Sequence, residues 1–315
     1  MTYTLAIHGG AGVIQTGGDE QPYHQGLRQA LEAGQSVLKA GGTAINAVVA
    51  AVEALENHPL FNAGHGAVFT ADESHELDAG VMDGSDLSAG AVAGARHIKN
   101  PVLAAHAMLK DSRYVLLCGD GADQFALEAG LPQVSNSYFS TLHRLHQLQT
   151  LRANDPSQVA LDHSVATAGN GKTDNEKKFG TVGAVALDQH GHLAAATSTG
   201  GMTNKRPGRI GDTPLIGAGV YANDASCAVS ATGTGEHFIR ACVGHDIHAR
   251  MVYGKQSLSQ AANATVFENL SAIGGEGGCI TVGRDGSIAM PFNSRGMYRG
   301  WVTEDGEIET RIFSD

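Results

Sequence analysis

The chain has 315 residues and carries 21 Lys and Arg against 32 Asp and Glu, a formal net charge of −11 that argues against a general nucleic-acid binder. Glycine contributes 42 residues and proline 8, with 42% hydrophobic and 17% charged residues, a profile of close small-residue packing that excludes fibrous and disordered classes. The length accommodates two domains or one large α/β domain, and either has ample apolar side chains for a core.

Residues 3 to 8, YTLAIH, read as a strand running into a glycine turn, Gly9-Gly10-Ala11-Gly12. A helix from Tyr23 to Leu38 follows, with Leu27, Leu31 and Leu38 on one side and Gly41-Gly42 as its stop. Thr43 is the expected N-cap of a second helix carrying Ile45, Val48, Val49, Val52 and Leu55, which Asn57-His58-Pro59 ends because the residue before proline resists helical geometry. Short strands are expected between Ala67 and Ala95, then a helix opened by Pro101, a buried strand from Tyr114 to Cys118 and a helix from Ala122 to Glu128. Ser140 to Leu151 reads as a helix with His143 and His146 on its solvated face.

From Arg152 to Lys178 the chain turns polar without any apolar period, as expected of a functional loop or linker. Regular pattern resumes with a hairpin, Thr181–Leu187 and Leu193–Ser198 around Asp188-Gln189-His190-Gly191-His192. Further strands are expected at Ser226–Ala231, Cys279–Val282 and Ser287–Met290, and helices at Glu236–Met251 and Ser257–Leu270. Strands in pairs followed by helices in pairs favour layered antiparallel sheets over a Rossmann pattern. The four cysteines, Cys118, Cys227, Cys242 and Cys279, form no C-x-x-C and read as reduced, mostly buried thiols. The N-terminal MTYTLAIHGGAG lacks a basic stretch followed by a long apolar run, and no segment approaches the ~20 apolar residues of a membrane helix, so a cytoplasmic protein without a membrane partner is expected.

Thr181 stands out because Gly180-Thr181 opens a strand directly after the polar loop, where a peptide bond can be exposed to attack. A threonine hydroxyl needs a base beside it, and a threonine freed at its N-terminus brings its own α-amine, whose pKa near 8 suits that task. Glycine before it has no Cβ to obstruct attack. Downstream, Thr232-Gly233-Thr234-Gly235 precedes a helix, so its N–H groups can face developing negative charge, although a plain glycine turn with Thr234 as N-cap fits equally. Arg209 and Asp212, in the loop from Lys205, form a pair able to grip the carboxylate and ammonium of an amino acid; the alternative is a solvated surface salt bridge. The fifteen histidines contain no H-E-x-x-H, and a catalytic metal is not expected.

The chain resembles the plant-type (type III) L-asparaginases with isoaspartyl peptidase activity, members of the N-terminal nucleophile hydrolases. The resemblance rests on Ile7-His8-Gly9-Gly10-Ala11-Gly12, Pro59-Leu60-Phe61-Asn62-Ala63-Gly64, His75-Glu76-Leu77-Asp78-Ala79 and Val81-Met82-Asp83-Gly84. It continues through Gly180-Thr181-Val182-Gly183-Ala184-Val185-Ala186, Thr197-Ser198-Thr199-Gly200-Gly201, Pro207-Gly208-Arg209 to Asp212, and Thr232-Gly233-Thr234-Gly235-Glu236. It implies an α+β, four-layer αββα sandwich spanning residues 1–315, cut by itself between Gly180 and Thr181 into an α chain (1–180) and a β chain (181–315), with 152–180 as a mobile linker. It implies hydrolysis of L-asparagine and of β-aspartyl peptides without a catalytic cofactor, Thr181 as nucleophile, Thr199 orienting it, and Thr232 with Gly233 as oxyanion hole. Arg209 is then the anchor of the substrate α-carboxylate, Asp212 and the Gly235 carbonyl of its α-ammonium, and Asn62 a supporting polar group at the substrate site. The resemblance further implies a structural Na⁺ on the backbone carbonyls of Leu55, Glu56, His58, Phe61, Ala63 and His65, and an (αβ)₂ assembly. Alternatives are a glycosylasparaginase-like amidohydrolase and a non-catalytic aspartate-binding relative.

Overall fold

The computed structural model describes residues 3–12, 14, 18–111, 113–154, 159 and 180–314. The polar stretch expected as a linker therefore lies almost wholly outside the described residues. In chain order the elements are β1 (Thr4–Gly12), α1 (Gln21–Lys39), α2 (Ala44–Glu56), β2 (Leu77–Asp83), β3 (Ala89–Ala95), α3 (Pro101–Lys110), β4 (Leu116–Cys118), α4 (Asp120–Glu128) and α5 (Leu142–Asn154). After residue 180 come β5 (Val182–Leu187), β6 (Leu193–Thr199), β7 (Val220–Ala222), β8 (Cys227–Gly233), α6 (Gly235–Ala241), α7 (Val243–Val252), α8 (Leu258–Asn263), β9 (Gly277–Gly283), β10 (Ile288–Ala289), β11 (Gly296–Thr303) and β12 (Ile308–Arg311).

One sheet has the order β12-β11-β1-β5-β6-β2-β3-β4 and the other β10-β9-β8-β7. They stack face to face, with α1–α3 on the first and α6–α8 on the second, giving the α+β, four-layer arrangement expected. The period-2 alternation of strand side chains sorts the core into two sets. Leu5, Ile7, Val182, Ala184, Ala186, Ala194 and Ala196 face α1–α3. Ala6, Val185, Leu187, Leu193 and Ala195 face the second sheet.

Thr43 precedes α2 in extended conformation, but its side chain makes no capping bond. Asp188, in the β5–β6 turn, takes that role by accepting from the Ala44 N–H at 2.9 Å. The β5–β6 hairpin is as anticipated, with Val182 opposite Ser198 and Leu187 opposite Leu193. His143 and His146 are exposed on α5.

Several expectations are corrected. Gly9–Gly12 is not a turn: β1 runs on to Gly12, paired with β11 through a register shift between His8 and Gly10. Only Leu116–Cys118 of the expected buried strand pairs, parallel to β3 at the sheet edge, and Tyr114, Val115 and Leu116 are exposed. The helix expected over Glu236–Met251 breaks at Cys242, which adopts φ 48° between α6 and α7. Beyond α8, whose Ser257–Gln260 capping box matches the expected start, the chain continues as a π-helical stretch, Ala264–Leu270. All four cysteines are free thiols, but only Cys227 and Cys279 are buried.

β3 approaches α3 closely because Gly90 has no side chain; a Cβ there would collide with the Ala105 carbonyl oxygen and lie 2.9 Å from Met108 Cβ. Gly90→Ala is therefore expected to cost about 2–3 kcal/mol of stability through overpacking, read as a lower urea midpoint at unchanged slope.

Candidate active site

Thr181 sits at the head of β5. Continuing the β5–β6 register by one residue places it opposite Thr199, which pairs on its other side with Asp78 of β2. Strand alternation turns all three toward the second sheet, and all are buried. The Thr181 carbonyl accepts from His8 Nδ1 at 3.0 Å, and His8 Nε2 meets Ser230 Oγ at 2.9 Å. Burial pushes the His8 pKa down to about 3, so the ring is neutral. A carbonyl can only accept, so Nδ1 carries the hydrogen and Nε2 accepts from Ser230; Thr197 Oγ1, which donates to the Gly219 carbonyl at 3.2 Å, lies 2.7 Å from Ser230 Oγ. A side chain at Gly183 would collide with Ser230 Oγ and His8, and one at Gly10 (φ 112°) would lie 2.9 Å from Gly180 N. The Gly180-Thr181 junction is thus enclosed by backbone.

The Thr181 hydroxyl has a long contact, 3.5 Å, with the hydroxyl of Thr213. Thr199, expected to orient it, accepts from the Gly201 N–H at 2.9 Å. Asn62 Nδ2 donates to the Gly201 carbonyl at 2.8 Å and Asn62 Oδ1 accepts from Val68 N at 3.0 Å, so its amide braces the turn after Thr199. Thr232 is fully buried, with Oγ1 accepting from Ala11 N at 3.3 Å. Thr232 and Gly233 end β8 and are not part of a free turn; Gly233 (φ 154°) has no room for a Cβ against Phe238 and Glu276. His8, Ser230 and Thr213 carry no site role in the sequence reading; His8 lies within a quoted motif, Thr213 follows Asp212, and the stacking of the two sheets brings Ser230 to His8.

Arg209 pairs with Glu236 and not with Asp212. Its Nε and Nη2 bind both oxygens of Glu236 at 2.9 and 2.8 Å, and these bonds hold the Glu236 pKa below its ordinary value although burial opposes them. A Cβ at Gly235 would lie 2.9 Å from Asp212 Oδ1 and 3.0 Å from Arg209 Nη2, which brings Arg209, Asp212 and Gly235 together. Asp212 is buried, its Oδ2 lacks a hydrogen-bond partner among the described residues, and burial raises its pKa to about 7 against the pull of Arg209. Lys205, from the same loop, is fully buried with Nζ donating to the Glu76 carbonyl at 2.7 Å, and burial lowers its pKa.

The chain after α2 folds into a carbonyl-lined loop. Leu55 O accepts from His58 N (3.2 Å), Glu56 O from His65 N (2.7 Å) and His58 O from Phe61 N (3.3 Å). The carbonyls of Phe61, Ala63 and His65 accept no backbone bond among the described residues. Gly64 (φ 49°) and Gly66 (φ 128°) permit the curl: a Cβ at Gly64 would strike Glu56 O, and one at Gly66 would lie 2.8 Å from Phe61 O. The Glu56 side chain bonds Ser198 Oγ at 2.6 Å and Val102 N at 2.9 Å, and burial raises its pKa to about 8. Among the described residues no group of three or more His, Cys, Asp and Glu converges as a metal site, and no helix is long and apolar enough to cross a membrane.

A family model described as asparaginase matches residues 1–312. The chain is 54% identical over 301 residues to an isoaspartyl peptidase of Salmonella typhimurium, covering 94% of each chain. It is equally 54% identical to the isoaspartyl peptidase of Escherichia coli, covering 94% of this chain and 92% of that one. An isoaspartyl peptidase/L-asparaginase of Bos taurus is 37% identical, covering 99% of this chain and 96% of the relative.

Because burial raises the Asp212 pKa from 3.8 to about 7, its stabilising contribution is fullest below pH 4 and is lost as pH rises through 7. Asp212→Asn is therefore expected to unfold at higher urea than wild type at pH 8, with the difference closing below pH 4. A difference independent of pH would show that Asp212 is ionised throughout.

Proposed function

The chain belongs to the asparaginase family, and from that premise we propose that it is a self-processing threonine amidohydrolase that releases N-terminal β-aspartyl residues from peptides and hydrolyses L-asparagine to L-aspartate and ammonia. One observation carries the substrate reading: buried Asp212, whose Oδ2 has no hydrogen-bond partner among the described residues, and the Arg209 guanidinium border the same glycine, Gly235. A carboxylate and a guanidinium brought to one glycine suit the ammonium and carboxylate of one α-amino acid. The 54% identity to isoaspartyl peptidases over nearly the whole chain supports the same reading.

In the uncut chain, Thr181 Oγ attacks the Gly180 carbonyl carbon, the peptide C–N bond breaks as the acyl group moves from nitrogen to oxygen, and water hydrolyses the ester. Chains of 1–180 and 181–315 result, and Thr181 gains a free α-amine. That amine accepts the proton of its own hydroxyl, which attacks the side-chain carbonyl carbon of the aspartyl substrate. Negative charge develops on the carbonyl oxygen, where Thr232 Oγ–H and Gly233 N–H donate, each such donor being worth about 3 kcal/mol. Ammonia or the peptide amine leaves with the proton held by Thr181, and water frees L-aspartate from the ester. Arg209 holds the α-carboxylate, and Asp212 with the Gly235 carbonyl holds the α-ammonium. Thr199 and Thr213 flank the nucleophile, Asn62 braces their loop, and the hydrogen bond from His8 fixes the Thr181 carbonyl, hence the direction of its side chain.

The loop offers the oxygen donors a hard monovalent cation prefers, and the carbonyls of Phe61, Ala63 and His65 accept no backbone bond among the described residues. Leu55, Glu56, His58, Phe61, Ala63 and His65 would hold Na⁺ there and stiffen the turn carrying Asn62. A cytoplasmic (αβ)₂ assembly completes the reading, and the 152–180 segment is its linker. No cofactor enters the chemistry.

Intact mass under denaturing conditions, before and after incubation, is expected to show two fragments with a new N-terminus at Thr181. Thr181→Ala should stay whole and release no ammonia from asparagine, and a wild-type chain that stays whole would point to a binding-only relative. Arg209→Ala should lose about 100-fold in kcat/KM while still maturing; equal loss of both would remove its role as anchor.

A further inference from the structure

Glu236 has no part in the chemistry above, yet it holds the residue on which recognition depends. A guanidinium offers two edges able to make paired hydrogen bonds, the side edge Nε–Nη2 and the end edge Nη1–Nη2. Glu236 takes the side edge with both carboxylate oxygens. The end edge borders two glycines: a Cβ at Gly211 would lie 3.0 Å from Nη1, and one at Gly235 would lie 3.0 Å from Nη2. On the far side of Gly235 is Asp212 Oδ1, 2.9 Å from the same Cβ position. Glu236 is half-exposed while Arg209 is largely buried, so the carboxylate reaches in from the rim and aims the guanidinium inward.

The charges sharpen this geometry. With both carboxylates ionised, Arg209, Asp212 and Glu236 sum to a single negative charge. A ligand bringing only a carboxylate would worsen that excess, whereas one bringing a carboxylate and an ammonium would not. Resting on the assignment of Arg209 and Asp212 as substrate anchors, we propose that Glu236 is a positioning residue that sets the demand for a free α-ammonium. It fixes the Arg209 end edge toward the α-carboxylate and supplies the second negative charge that penalises carboxylates lacking an ammonium.

The test compares L-aspartate with succinate, which differs only in lacking the ammonium, as inhibitors of asparagine hydrolysis by matured wild type, Glu236→Gln and Glu236→Ala. Both variants should self-cleave as wild type does, which reports that the fold is intact. Wild type should prefer L-aspartate strongly. In the variants L-aspartate should weaken about tenfold while succinate changes less than about threefold, because lost orientation is offset for succinate by relieved repulsion. KM for L-asparagine should rise with the L-aspartate inhibition constant, and kcat should stay within about threefold. Equal weakening of both inhibitors would mark Glu236 as merely structural, and unchanged constants would deny it any role; either overturns the inference while the amidohydrolase reading stands. A matured wild type that neither hydrolyses asparagine nor binds L-aspartate would instead overturn the anchor assignment, and this inference with it.

Discussion

The chain of hydrogen bonds from Thr197 through Ser230 and His8 to the Thr181 carbonyl ties the two sheets together at the point where the site is built. Its members are all buried, so each donor must find an acceptor or cost the desolvation of a polar group, about 1–3 kcal/mol. The neutral His8 ring satisfies this by donating to the Thr181 carbonyl on one side and accepting from Ser230 on the other. Space for it comes from glycine and alanine: Gly183 opposite the imidazole, Gly10 against Gly180, and an alanine-rich β6. Larger residues would fill the layer with apolar packing and displace the polar chain.

The loop that carries Lys205, Arg209 and Asp212 is held by different physics. Asp212 is a buried carboxyl whose charged form is disfavoured by its surroundings, and Lys205 is a fully buried amine under the same pressure in the opposite sense. Such groups lower stability in the free protein, and they are tolerated where a ligand brings the missing counter-charge. Glu236 and Arg209 satisfy one another at the rim, leaving Asp212 as the group whose partner is absent.

Much of this arrangement was readable from sequence, for reasons tied to particular residues. The β5–β6 hairpin declares itself because alternation, turn residues and length agree, and α2 because its apolar spacing and the Asn57-His58-Pro59 stop coincide. The β1 glycines misled because a glycine run has no side chains to show alternation; only the β11 partner, some 290 residues away, keeps it extended. The break at Cys242 was hidden because apolar spacing continues across it, and a non-glycine in left-handed conformation leaves no signature in composition. Thr181, Arg209 and Asp212 were found because their residue types carry specific chemistry. The contacts of His8, Ser230 and Thr213 and the Glu236 clamp emerge only from tertiary placement, which a one-dimensional reading does not contain.

The order of strands in the larger sheet has one more consequence. β1, from the segment before residue 180, lies between β11 and β5, both from the segment after it, and β6 in turn lies beside β2. A cut after Gly180 therefore yields two pieces threaded through one another like interlaced fingers, neither of which owns a contiguous half of the sheet. They cannot separate by sliding apart at an interface; parting them means dismantling the central strands. Once parted, they must find each other again in solution, so recovery from denaturation changes from a unimolecular event in the whole chain to an encounter that slows with dilution. Were the chain cut there, the intact chain would be the form that folds from scratch, and the cut form would depend on the structure it inherits.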